Sequence, residues 1–209
     1  NKMKTKVKIC GITNLKNALE ASEVGVDALG FVFFKDSPRY IKPIEARKII
    51  SKLPAFVARV GLFVNASKEE VILAINDSGV NILQFHGDED EKFCNQFNLP
   101  YIKAIAFRES LDLIEYCKLY DSSAAILIDT FSKNVRGGTG KTFNWDFLPK
   151  KLPLPFIIAG GLDSNNICKL LDTINPYGVD VSGGVEQKKG IKDYNMMKEF
   201  VLGVNNATI

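Results

Sequence analysis

Two residues in this 209-residue chain have the chemistry and the position to exchange a proton. Cys10 follows directly on the strand-like run Lys6–Ile9, and Asp129 follows the five apolar residues Ala124–Ile128. A thiol becomes a base once ionised and a carboxylic acid can supply a proton, so the pair specifies an acid–base reaction but no substrate. Each position keeps an ordinary alternative: free cysteine is commonly a small buried hydrophobe, and a carboxylate after a strand can cap a turn. Two glycine pairs, Gly160-Gly161 and Gly183-Gly184, offer backbone N–H groups that can close on an anion. Leu162-Asp163-Ser164 is expected to open a helix whose positive end adds attraction. Arg39, within Asp36-Ser37-Pro38-Arg39-Tyr40, carries the forked donor set that suits a carboxylate, though a loop arginine is often only a solvated charge. His86 is the one histidine. Asn65, Arg108 and Ser182 complete the polar residues that follow apolar runs. The cluster Arg136–Lys141 lacks P-loop spacing and reads as a glycine-hinged lid.

The elements that must position these groups alternate along the chain. Short β-branched and aromatic runs lie at Lys6–Cys10, Ala28–Phe33, Ala58–Phe63, Ile82–Phe85, Tyr101–Ala106, Ala124–Ile128, Phe156–Ala159 and Val179–Val181. Their nearly continuous apolar character fits strands buried on both faces of a parallel sheet. Between them lie helical patterns with readable ends. Thr13 or Asn14 caps a helix running to Val24, Pro43 suits a first turn, and Ser67 with Glu70 makes a capping box for a helix closed by Gly79. Further helices are expected at Glu89–Asn98, Leu111–Tyr120, Asn144–Pro149, Ser164–Ile174 and Lys192–Val201, with Trp145 in the core of the sixth. Eight such units give an open doubly wound sheet or a closed (β/α)8 TIM barrel. The first turn, Cys10-Gly11-Ile12-Thr13, lacks the G-x-G-x-x-G of dinucleotide-binding open sheets, and the glycine pairs follow the seventh and eighth strands, where barrels bind phosphate. The expectation is a single (β/α)8 barrel domain spanning 1–209, with Asn1 and Lys2, ahead of Met3, read as added residues.

Composition narrows the function. A formal charge of +3 from 27 basic and 24 acidic residues, without a block of like charge, gives no reason to expect a nucleic-acid partner. The apolar runs are strand-length, so no membrane partner is expected either. The four cysteines form no C-x-x-C pair and have a single histidine for company, a poor set for zinc, and no metal site is expected. With no secretory signal evident, a cytoplasmic protein with reduced thiols is expected.

Lys8-Ile9-Cys10-Gly11-Ile12-Thr13, Ser37-Pro38-Arg39, Gly61–Asn65, Gln84-Phe85-His86-Gly87, Leu127-Ile128-Asp129, Gly137–Phe143, Ala159-Gly160-Gly161-Leu162 and Asp180–Glu186 resemble, in order, the motifs of phosphoribosylanthranilate isomerases. The likeness runs from about Lys6 to Phe200. It implies a (β/α)8 barrel of tryptophan biosynthesis that converts N-(5-phosphoribosyl)anthranilate by an Amadori rearrangement, without a cofactor. Transferred onto this sequence, it makes Cys10 the general base, Asp129 the general acid and Arg39 the partner of the anthranilate carboxylate. The phosphate falls on the backbone around Gly161 and Gly183, with Ser182, Gly184 and His86 grouped with the substrate-binding residues. Departures from the usual pattern are Ser182-Gly183-Gly184 in place of Ser-Ser-Gly or Asn-Ser-Gly, Phe85 in place of an aliphatic residue, and Asn144 in place of Asp. The resemblance further suggests a small phosphosugar–anthranilate substrate and a monomer, with a homodimer as the alternative. Among other phosphosugar barrels, indole-glycerol-phosphate synthases need lysines at strand ends, and the histidine-pathway isomerase has an Asp where Cys10 stands. A non-catalytic phosphate-binding barrel would need neither Cys10 nor Asp129.

Overall fold

Strands that are apolar on both faces are satisfied when one face packs inward and the other meets a shell of helices. The computed structural model, which describes residues 4–130 and 145–207, has that arrangement. Strands β1 (Lys6–Cys10), β2 (Ala28–Val32), β3 (Ala58–Phe63), β4 (Ile82–Phe85), β5 (Tyr101–Ala106), β6 (Ala125–Asp129), β7 (Phe156–Ala159) and β8 (Gly178–Val181) close in chain order into one parallel barrel. β8 pairs back onto β1 with Lys8 opposite Asp180, and Cys10 stands opposite Gly30 on β2.

Side chains alternate along each strand. Val7, Ile9, Ile126, Ile128, Ile158 and Val179 belong to the main core between barrel and helices. Ile102, Ala104, Ala125, Leu127, Ile157 and Ala159 form a separate inner cluster, and Cys10 packs with Val32 and Leu62 nearer the mouth. The same alternation that sends Val7 and Ile9 outward sends Lys8 and Cys10 inward.

The helices are α1 (Leu15–Glu23), α2 (Pro43–Ile50), α3 (Lys68–Ser78), α4 (Glu91–Cys94), α5 (Leu113–Leu119), α6 (Ile167–Thr173) and α7 (Tyr194–Ala207). Asn14 accepts from the Asn17 N–H to cap α1, and Ser67 and Glu70 form the reciprocal capping box of α3, which Gly79 ends in the left-handed region. Pro43 opens α2.

Several boundaries differ from those expected. The segment 89–98 yields only α4 and a 3-10 turn at Asn95–Phe97, because Asp90 takes the cap and Asn98 turns left-handed at φ 54°. Trp145 is buried in a 3-10 turn, Trp145–Phe147, in place of the α-helix expected at Asn144–Pro149. Pro149 follows two residues later and disfavours helical continuation at Leu148. α6 begins at Ile167 and not at Ser164, since the Asp163 carboxylate accepts from the Asn165 and Asn166 N–H groups and holds a turn there. Lys192 is not helical: it ends an antiparallel hairpin of β9 (Glu186–Lys188) and β10 (Ile191–Lys192), and α7 follows. The expected lid Arg136–Lys141 and Asn144 lie outside the described residues. No helix among the described residues is long and apolar enough to cross a membrane.

Candidate active site

The carboxyl ends of the strands surround a cavity of about 660 Å³, within the size of small-molecule sites. It brings together both proton-transfer candidates, Arg39, His86, Ser182 and both glycine pairs. Asn65 and Arg108 stand apart from it. The Asn65 side-chain Oδ1 accepts from the Asp88 N–H at 2.7 Å, fixing a loop, and Arg108 is exposed.

Cys10 is buried against the neighbouring strand. An added Cβ at Gly30 would lie 2.7 Å from the Cys10 sulfur, so the glycine makes the room in which the thiol sits. Gly11 then turns the chain away from β1 at φ 85°, and a Cβ there would fall 2.5 Å from Cδ of Arg39. Burial pushes the Cys10 thiol up from its ordinary value; the Lys8 charge opposes this, Asp180 adds to it, and Lys192 opposes it. The resting group is therefore the thiol, and its ionisation is held back by its setting.

Asp129 ends β6 at the cavity wall, and its Oδ2 lies 3.4 Å from His86 Nε2. The other ring nitrogen of His86 meets the amide nitrogen of Gln84 at 3.2 Å. Gln84 is fully buried, and its oxygen has no hydrogen-bond partner among the described residues. Behind His86, the Lys103 ammonium donates to the Gly87 carbonyl at 2.6 Å and pairs with Glu89 at 3.1 Å. Glu89 in turn accepts from the Gly87 and Asn65 N–H groups, so one buried ion pair fixes the loops after β3 and β4.

Arg39 already grips a carboxylate. Its Nε and Nη2 donate to the two oxygens of Glu186 at 2.8 and 2.7 Å, a bidentate pair that raises the arginine's pKa. Glu186 also accepts from Lys192 at 2.8 Å; burial opposes its ionisation, but the Arg39 and Lys192 bonds hold its carboxyl below the ordinary value. Lys192 is fully buried, donates to the Cys10 carbonyl at 2.6 Å and lies 3.3 Å from the Ser182 hydroxyl. The Ser182 hydroxyl itself donates to the Cys10 carbonyl at 3.0 Å. The β9–β10 hairpin is thus strapped onto the first strand at the residue that carries the thiol.

The glycine pairs form adjoining loops. Gly160 and Gly161 are both left-handed, at φ 95° and 66°, and Gly161 faces open space. Gly184 presses against the loop after β7 so closely that a Cβ would lie 1.8 Å from the Leu162 oxygen. The helix start expected at Leu162-Asp163-Ser164 falls in the Asp163 turn, so these loops offer their backbone N–H groups without it. Among the described residues, no cluster of three or more His, Cys, Asp or Glu can hold a metal ion.

Sequence reasoning missed Gly30, Lys8, Asp180, Glu186 and Lys192. The available signal was the presence of Lys8 and Asp180 in otherwise apolar strands, a costly placement that calls for a reason.

Comparison with known proteins gives a consistent result. The family model described as N-(5'phosphoribosyl)anthranilate (PRA) isomerase matches residues 7–202. The N-(5'-phosphoribosyl)anthranilate isomerase of Nitrosospira multiformis is 47% identical, over 97% of each chain. The crystal structure of phosphoribosyl anthranilate isomerase from Thermotoga maritima superposes with a TM-score of 0.87 at 38% identity, covering 97% of this chain and 99% of that one. A phosphoribosyl anthranilate isomerase crystallised with reduced 1-(o-carboxyphenylamino)-1-deoxyribulose 5-phosphate superposes at 0.80, with 34% identity and coverage of 97% and 99%.

Proposed function

The chain belongs to the N-(5'-phosphoribosyl)anthranilate isomerase family, and from that premise we propose that Cys10 and Asp129 are its general base and general acid. The reaction is the Amadori rearrangement of phosphoribosylanthranilate to 1-(2-carboxyphenylamino)-1-deoxyribulose 5-phosphate in tryptophan biosynthesis. The observation that carries the assignment of roles is that the two groups end β1 and β6 and line one cavity together with the glycine loops.

Asp129 donates its proton to the ribose ring oxygen; the C1′–O bond breaks and leaves a protonated imine. The imine acidifies the C2′ hydrogen, which the Cys10 thiolate removes, and the electron pair flows toward nitrogen to give an enolamine. Loss of the enol proton and protonation of C1′ yield the ketone, so protons given and taken balance. The substrate's own nitrogen is the electron sink, and the mechanism calls for no cofactor or metal. Phosphate sits on the backbone of Gly161, Gly183 and Gly184 beside Ser182. Arg39 meets the anthranilate carboxylate with its remaining donors while Glu186 holds the guanidinium in place. His86, at 3.4 Å from Asp129, completes the binding wall.

The working unit is read as a single-domain monomer with a homodimer as the alternative, and light scattering distinguishes the two. A phosphorylated substrate does not cross membranes freely, in keeping with a cytoplasmic enzyme. The roles are tested with Cys10→Ala and Asp129→Asn by following anthranilate fluorescence on freshly generated substrate. Each variant should lose about 10²–10⁴-fold in kcat while binding a product analogue within about tenfold. Cys10→Ala retaining more than about a tenth of kcat, with chemistry rate-limiting, removes the thiol as base.

A further inference from the structure

Lys8 is a charged residue in the interior of an otherwise largely apolar barrel, and the mechanism above gives it no part. It is 5% exposed and pairs at 2.9 Å with Asp180, its register partner across the β1–β8 seam. An ion pair this deep contributes little to stability, because the cost of desolvating both charges offsets their attraction and apolar side chains of similar volume serve as well. Its location is the more informative fact. Lys8 and Cys10 are two residues apart on one strand, so both point into the barrel, with Lys8 one position deeper on the same face.

Charged groups reach that thiol from several elements. Lys8 from β1, Arg39 from the loop after β2 and Lys192 from β10 are cationic; Asp180 from β8 and Glu186 from β9 are anionic. His86 after β4, Asp129 at the end of β6 and Asp163 after β7 face the same cavity. Glu186 is shared by Arg39 and Lys192, and Asp180 is held by Lys8. Of these cations, Lys8 is the one that shares the inward face of β1 with Cys10.

We propose that Lys8, clamped by Asp180, is a positioning residue whose fixed charge holds the Cys10 thiolate ready for proton abstraction. This rests on the reading of Cys10 as the base. The direction of the electrostatics agrees: Lys8 is the largest influence opposing the rise that burial imposes on the thiol. For Lys8 itself, burial acts to lower the pKa, yet Asp180 and Cys10 together hold it above the ordinary value, so the group stays charged. Asp180 keeps the ammonium from moving, which a flexible lysine chain would otherwise do.

The test reads the thiolate directly. Cys10 alkylation by iodoacetamide is followed against pH by peptide mass spectrometry, which separates it from the exposed Cys168. The proteins are wild type, Lys8→Arg, Lys8→Met and Lys8→Met/Asp180→Asn; the double variant avoids stranding a buried carboxylate. The two variants lacking the cation should move the alkylation midpoint up by about one pH unit or more, the equivalent of a tenfold loss of thiolate. Their kcat at neutral pH should fall about tenfold and recover as pH rises, with KM within about threefold, and Lys8→Arg should restore most of both. A folded double variant with an unmoved midpoint overturns the proposal. A shifted midpoint with an unshifted kcat profile overturns it differently, by showing that Cys10 is not the base.

Discussion

Substituting Gly30 by alanine perturbs the catalyst through one methyl group. The new Cβ would lie 2.7 Å from the Cys10 sulfur, about 0.7 Å short of the 3.4 Å at which ordinary contact begins. It would also lie 3.0 Å from the Cys10 Cα, so tilting the side chain does not relieve everything. Gly30 is within a regular strand and outside the left-handed region, so the backbone accepts a side chain, and the three nearest atoms it meets all belong to Cys10. The sulfur must then move by most of an ångström or the strands must part. Overpacking of this kind costs about 1–3 kcal/mol of stability, which a folded barrel can absorb. A 1 Å misplacement of a reacting group costs about 10²-fold in rate. Gly30→Ala should therefore remain folded by circular dichroism, bind a product analogue nearly as wild type does, and lose about 10²-fold in kcat. A kcat within about threefold of wild type in a folded protein would refute the claim that this glycine sets the thiol's place.

Two further outcomes follow from neighbouring features. Gly183 lies outside the left-handed region, and a Cβ there would meet only Arg39 Nη2 at an ordinary 3.5 Å. Gly183→Ser should thus change affinity for a phosphate-bearing product analogue by no more than about 1 kcal/mol; a hundredfold change in calorimetry, either way, would sink a phosphate site built from backbone alone. Burial pushes the Cys94 thiol up to about 12 and the Tyr101 hydroxyl up to about 12. Both are neutral when folded, and the unfolded chain loses these protons first. Stability should therefore hold below pH 9, then fall progressively toward pH 12, and Cys94→Ala should flatten the decline in melting temperature over that window.

The barrel itself was written in local signals. Strand β6 follows from an unbroken apolar run, and α3 from Ser67, Glu70 and Gly79, because such features act within a few residues of themselves. The α6 start was misplaced since Asp163 offers the backbone a competing turn, a choice between two local options that composition does not decide. The β9–β10 hairpin went unread because its strands of three and two residues are too short to show alternation. Cys10, Asp129 and Arg39 stood out by following apolar runs or by loop position. Their partners did not: Glu186 meets Arg39 across 147 residues, and Asp180 meets Lys8 across 172, distances over which a sequence carries no pairing information. Even the forked recognition expected of Arg39 was sound chemistry with an unforeseen first partner.

The ammonium of Lys192 reaches the carbonyl of Cys10 across 182 positions of chain. During synthesis the thiol is thus made 182 residues ahead of the ammonium that holds its carbonyl. A nascent chain ending after β7 holds Cys10, Arg39 and Asp129 but has neither the strand that closes the ring nor the cations and carboxylates delivered by β8, β9 and β10. A fragment that stops there lacks groups that surround the thiol in the closed barrel. The cavity around Cys10 is complete only when β8, β9 and β10 have folded back onto β1.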